Sequence, residues 1–172
     1  MLEEFAPFGS GRYFLLLGFL ALARALDFFS TWIATPNLLL EANPLARKMG
    51  WKLGIATNVV LCFAFALWPL PAIVIATTSI LVASRNFQSA WLMRSMGEVN
   101  YRVWMSERLV EAGRLFVFCL IAQTVLYALL GGTLMYFSEL HVVPFGVGMG
   151  LISYASAVFI YTLLSVWRIA AR

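Results

Sequence analysis

The chain has 172 residues, of which 62% are hydrophobic and only 12% charged, with a mean hydropathy of +0.88. A water-soluble domain carries about 25% charged residues, so too little polar side chain is present to cover a globule in water. The formal charge of +4 comes without a long basic run, which argues against a nucleic-acid partner, and basic residues of membrane proteins gather on the cytoplasmic side in any case.

These numbers predict an all-α, polytopic transmembrane helical bundle. At about 20 apolar residues per crossing, the length suits four to six helices in one integral membrane domain covering 1–172. Cys62 and Cys119 lie in separate apolar runs with no C-x-x-C spacing. Neither a metal-thiolate site nor a disulfide framework is implied.

In chain order, 1–11 is a short head punctuated by Pro7, Gly9, Ser10 and Gly11. The apolar run after it ends in Ala21-Leu22-Ala23, the shape of a signal-peptidase site. Glu3 and Glu4 stand where a signal peptide carries positive charge, so the first helix is expected to be retained. The first span is predicted over 13–32 and ends before Pro36-Asn37, which cannot continue a helix. The stretch 38–45 is too short to cross and reads as a re-entrant or interfacial turn. A second span covers 52–68 and closes on Trp68-Pro69-Leu70-Pro71, a turn with an interfacial tryptophan. The third span runs over 72–96, and the charged stretch 97–111 follows as a solvent-side connector. The fourth span covers 112–135, loosened near its far end by Gly131-Gly132, and the fifth covers 145–166.

This five-span arrangement sorts the charges. Arg47, Lys48, Lys52, Arg94, Arg102, Arg108, Arg114, Arg168 and Arg172 fall on one side, and Arg12 alone falls on the other. The bias orients the N-terminus outside and the C-terminus in the cytoplasm, as expected for a prokaryotic inner-membrane protein.

Arg24 and Asp27 are left inside the first span. Charge in hydrocarbon is costly and marks a functional site by default. Spacings of three and four put Arg24, Asp27 and Thr31 on one helix face. The bland reading is a self-neutralising pair that locks the bundle. Behind it comes Glu41-Ala42-Asn43-Pro44, where Asn43 suits a helix N-cap with Pro44 at the first helical position; that leaves Glu41 unexplained. Asn58, Arg85 and Asn86 are expected at the same depth, so that Arg24, Asp27, Thr31, Glu41, Asn43, Asn58, Arg85 and Asn86 would line one polar pocket on the cytoplasmic side. Arg85 alone could also snorkel to the headgroups or hold a lipid phosphate.

The pattern Asp27-x-x-x-Thr31 followed by Glu41-x-Asn43-Pro44-Leu45 resembles a family of uncharacterised small prokaryotic multi-pass membrane proteins. Their domain of unknown function has a D-x3-T … E-x-N-P core. The resemblance covers the first third of the chain. Ser30-Thr31 fits the hydroxyl pair, whereas Pro36-Asn37 stands where glycines are expected. It implies emphasis on Asp27, Glu41, Asn43 and Pro44, and no reaction.

Ala21 and Ala25 form a small-xxx-small pair on the first helix, and Gly146 and Gly150 form another on the last. Both are expected to be helix-packing faces, the second either within the chain or as a docking face for a homo-oligomer or complex partner. His141, the only histidine, falls on the outer side, and no hydrolase, zinc-protease or nucleotide-binding motif is present.

Three functions stay open. The first is a non-enzymatic pocket for a small ligand, ion or lipid headgroup. No cofactor is implied by motif; if a metal bound Asp27 and Glu41, oxygen donors would favour Mg²⁺ or Ca²⁺, and Arg24 would favour a zwitterionic or phosphate-bearing ligand instead. The second is a lipid-acting enzyme using Asp27 and Glu41 as an acid–base pair, with Arg85 on a phosphate. The third is a small transporter component or accessory subunit. Membrane lipids are partners in each.

Overall fold

A computed structural model describes residues 5–170. Glu3, Glu4 and Arg172 lie outside the described residues, as does the side chain of Arg168. Five helices make up the described chain: α1 (Gly11–Ala34), α2 (Pro44–Phe65), α3 (Pro69–Met96), α4 (Glu98–Tyr136) and α5 (Val142–Ala170). Four of them, all but α2, are long and apolar enough to cross a membrane. The surface agrees, since Leu22, Val60, Phe118 and Leu126 each leave more than half of their area exposed. The exterior is made of the residue types that a soluble fold would bury.

Local chemistry sets the helix ends. Ser10 caps α1 by accepting from the Tyr13 N–H at 3.1 Å. Asn43 caps α2, its Oδ1 accepting from Leu45 N and Ala46 N at 2.9 and 3.4 Å, and Pro44 needs no partner for a missing N–H. Gly50 at φ 67 then divides α2 into a short lead-in and a 51–65 segment. The turn after α2 is shorter than expected from the sequence, occupying 66–68, so that α3 begins at Pro69. The charged stretch 97–111, expected as a connector, is helical and runs into the fourth span through a non-helical Gly113 (φ 48, ψ −118). That glycine is where one long helix becomes two: 114–136 is about 34 Å long, close to the ~30 Å hydrocarbon core, whereas all of α4 unbroken would be about 58 Å.

Helices α1, α3 and α5 run parallel, and α2 and α4 run against them. Arg24 pairs with Ser79 and Thr31 with Asn86 along α1 and α3. Phe28 over Gly54, Arg24 on Asn58 and Tyr13 on Phe63 trace α2 back along the length of α1. In space the order is α2–α1–α3–α5–α4. The α1–α3 seam buries Leu20, Ala23, Ser30 and Ala34 of α1 against Ala72, Ala76, Ser79 and Ala83 of α3, small residues that let the backbones approach.

On α5, a Cβ at Gly150 would lie 2.6 Å from Thr77 Cβ, and one at Gly148 would lie 2.6 Å from the Gly131 carbonyl oxygen. Glycine is required there because α5 is wedged between α3 and α4. The Gly146 and Gly150 face is therefore filled by α3 within the chain, which corrects the expectation that it could serve as a docking face. Ala21 and Ala25 are corrected too: both are exposed, and the buried alanine of that stretch is Ala23. The heptad phase set by Tyr13, Leu20, Ala23 and Ser30 turns Ala21 and Ala25 outward.

One end of the bundle carries Trp32, Trp51, Trp91, Trp104 and Trp167, one from each helix, and the opposite end carries Trp68. Tryptophan at a common level marks a membrane–water interface.

Candidate functional site

Arg24 is the hub. Its Nε donates to Asn58 Oδ1 of α2 at 2.8 Å, and its Nη1 donates to Asp27 Oδ2 at 2.6 Å and to Ser79 Oγ of α3 at 3.0 Å. Asn58 is itself aimed, because its amide donates to the Gly54 carbonyl at 2.8 Å, leaving the oxygen for Arg24. The Phe28 ring lies 5.4 Å from the guanidinium carbon and covers the cation from one side. A single side chain thus joins three helices. Among the described residues, α2 and α3 share side-chain hydrogen bonds only through it.

The pair is only partly withdrawn, with 24% of the Arg24 side chain and 15% of the Asp27 side chain exposed. Asp27 uses one carboxylate oxygen on Arg24, and its Oδ1 makes no hydrogen bond among the described residues. Glu41 stands close enough for the two carboxylates to repel each other. A cation, a spare carboxylate oxygen and a second acid therefore converge where α1, α2 and the 35–43 loop meet.

Further along α1 comes a second layer. Ser30 donates to the Asp27 carbonyl at 2.9 Å, and the Asn86 amide donates to Ser30 Oγ at 3.3 Å and Thr31 Oγ1 at 3.0 Å. A third layer closes the end. Glu98 accepts from Thr35 Oγ1 at 2.7 Å, from Asn37 N at 2.8 Å, from Asn37 Nδ2 at 3.0 Å and from Leu39 N at 3.0 Å. Burial would raise the affinity of this carboxyl for its proton, but the four donors outweigh it and hold the group below its usual range. Trp51 adds a bond from its indole N–H to the Pro36 carbonyl at 2.8 Å. In the same loop, burial pushes the Glu41 carboxyl above its usual range, against the backbone N–H groups of Asn43 and Ala42 that favour the anion.

Arg24, Asp27 and Asn58 therefore meet directly, Glu41 stands beside them, and Thr31 joins Asn86 one layer away. The residues do not share one depth; from Arg24 to Thr35 the column is about 16 Å tall. Asn43 spends its side chain on capping α2 rather than on the cluster. Arg85 stands apart, exposed and on the side of α3 facing α4 and α5, where its charge acts on Tyr101 and Tyr154. One residue along a helix turns a side chain by about 100°, which separates it from Asn86.

The sequence reading missed Ser79, the last of three consecutive hydroxyl residues (Thr77-Thr78-Ser79) with nothing to single it out. It also placed Glu98 in solvent, whereas it is 9% exposed. The available hint was Gly97, a positive-φ residue (φ 78) that lets the chain turn the carboxylate inward.

Among the described residues, no group of three His, Cys, Asp or Glu side chains is close enough together to hold a metal ion. His141 lies in the turn between α4 and α5, at the far end of the bundle from Asp27. No family model, curated protein or solved structure matches the chain.

Proposed function

We propose that this is a five-pass inner-membrane protein of a prokaryote, of the D-x3-T … E-x-N-P type. In this reading the Arg24–Asp27–Glu41 cluster is a cytoplasmic-side binding site for a small ligand carrying both charges, or a phosphate. The short 51–65 segment of α2 is the second pass. It is supported by running alongside α1 from Phe28 to Tyr13. The end that gathers five tryptophans also gathers Arg47, Lys48, Lys52, Arg94, Arg102, Arg108 and Arg114, which favours a cytoplasmic C-terminus and an outer N-terminus.

The observation that carries the binding reading is the unequal use of the Arg24–Asp27 pair. A purely structural pair would saturate itself, because each open lone pair in a low-dielectric site costs free energy. Here one oxygen of Asp27 makes no hydrogen bond among the described residues, while Arg24 holds the pair in place through two other helices. An ammonium group is the chemical complement of the two acids, and an anionic group that of the guanidinium. Acid–base chemistry by the Asp27–Glu41 pair is less favoured, since no histidine stands beside it and Asp27 is held by Arg24.

The test is native mass spectrometry with lipid-extract and metal analysis of purified wild type and Asp27→Asn. The expected result is a small ligand or headgroup-bearing species retained by wild type and lost from Asp27→Asn, with both proteins folded. An unchanged set of bound species in the variant would remove the binding reading and leave a structural lock.

A further inference from the structure

A second polar feature lies apart from the Arg24 cluster, at the corner where α3 passes into α4. Arg94 and Glu98 are four residues apart, a spacing that pairs opposite charges on a continuous helix. Gly97 at φ 78 breaks the helix between them, and Glu98 turns inward to its four donors in the 35–39 loop. Arg94 is left exposed. The ion pairs among the described residues are Arg24–Asp27 and Arg108–Glu111, so Arg94 has no carboxylate of its own.

Beside it is an open hollow of about 310 Å³ whose lining includes Pro36, Asn37, Leu39, Arg94, Glu98 and Val99, with the Glu98 carboxylate oxygens already engaged by their four donors. From the rim of the hollow an apolar track continues along the first part of α4. Val99, Val103 and Val110 are 65%, 54% and 80% exposed, and at 100° per residue all three fall within about 40° of one another. An exposed valine stripe in the most charged stretch of the chain calls for an apolar cover. Its level in the bundle says which cover: Trp91, 69% exposed, belongs to the tryptophan belt, and Arg94 lies one helical turn beyond it, at the height of lipid headgroups.

We propose that this corner is a binding site for an anionic phospholipid, with the phosphate on Arg94 and an acyl chain along Val99, Val103 and Val110. Guanidinium is the side-chain group best suited to phosphate oxygens. The hollow gives the headgroup a seat, and the valine stripe gives the chain a track that a water-soluble phosphate would not use. The kink at Gly113 allows this part of α4 to follow the membrane surface instead of continuing the line of the span.

The test measures phosphatidylglycerol and phosphatidylcholine retained by the full-length protein in native mass spectrometry, with inorganic phosphate as competitor. Wild type is expected to retain phosphatidylglycerol over phosphatidylcholine. Arg94→Gln should lower that retention about fivefold, the effect of one basic side chain at a charged surface. Val103→Ser should lower it as well, whereas Arg108→Gln should not, because Arg108 is already paired. Inorganic phosphate should leave the lipid in place. Equal retention by Arg94→Gln and wild type would overturn the proposal; so would displacement by inorganic phosphate, which would mean a free-anion site. A second readout does not depend on the Arg94 variant. A fluorophore on Val103→Cys in nanodiscs should be quenched by brominated lipid and one on Arg108→Cys, about 140° around the helix from it, should not; the absence of quenching at 103 would also overturn it.

Discussion

At the residue scale, two carboxylates in the loop end of the bundle respond to pH in opposite directions. Glu98 is held below the ordinary carboxylate value of 4.5. Its contribution to stability is therefore full above that value and is lost as the pH falls through the lower value of the folded chain. Glu41 is raised above 4.5, so its contribution is full below that value and is lost as the pH rises through the raised one. Both groups lie outside the spanning segments. Glu98→Gln puts an amide N–H₂ against donors that need an acceptor, at a cost of about 1–3 kcal/mol. Thermal unfolding in detergent should show Glu98→Gln destabilised at pH 7 and the gap to wild type closing below pH 4.5; a constant gap would mean that the carboxylate charge contributes nothing. The sequence alone named Arg24 and Asp27, because charge inside an apolar run is visible there. Ser79 and Glu98 were not legible, since their partners lie 55 and 63 residues away.

At the element scale, the two neighbouring glycines of α4 have different roles. A Cβ on Gly131 would meet the Gly148 carbonyl oxygen at 2.6 Å and Ile152 at 2.8 Å, whereas one on Gly132 meets nothing within 4 Å. Gly131→Ala should separate α4 from α5 and cost about 1–3 kcal/mol as overpacking. Gly132→Ala should be neutral or stabilising by up to about 1 kcal/mol through helix propensity. Parallel unfolding measurements on the two variants check this, and equal effects would contradict the close contact. The sequence read the Gly131-Gly132 pair as loosening the far end of a span that reaches 135; α4 does end at Tyr136, but Gly131 is there for close packing against α5. What a glycine does in a helix depends on the neighbouring helix, which the local sequence does not contain. The same reason explains why Ala23 rather than Ala21 or Ala25 is buried.

For the whole molecule, the proposed orientation makes a direct prediction. In a background with Cys62 and Cys119 replaced, a cysteine at Glu139 should react with a membrane-impermeant maleimide in intact cells. Cysteines at Lys48 and Glu107 should react only after the membrane is opened. The reverse pattern would invert the topology, and labelling of 48 and 139 from the same side would remove α2 as a pass.

By itself the sequence determined that this chain is helical and built for a membrane, and it located most helix ends within a few residues. Composition, apolar run length, proline, glycine and capping residues act locally, so they can be read one segment at a time. It also marked Arg24–Pro44 as the place where polarity concentrates. Only the tertiary structure decided that Arg24 is a three-helix junction, that Arg85 faces away from it, and that Glu98 turns inward and leaves Arg94 outside. Those outcomes depend on the rotation of each helix about its axis and on loops brought together from distant parts of the chain. A shift of one residue, about 100°, is enough to move a charge from one site to another.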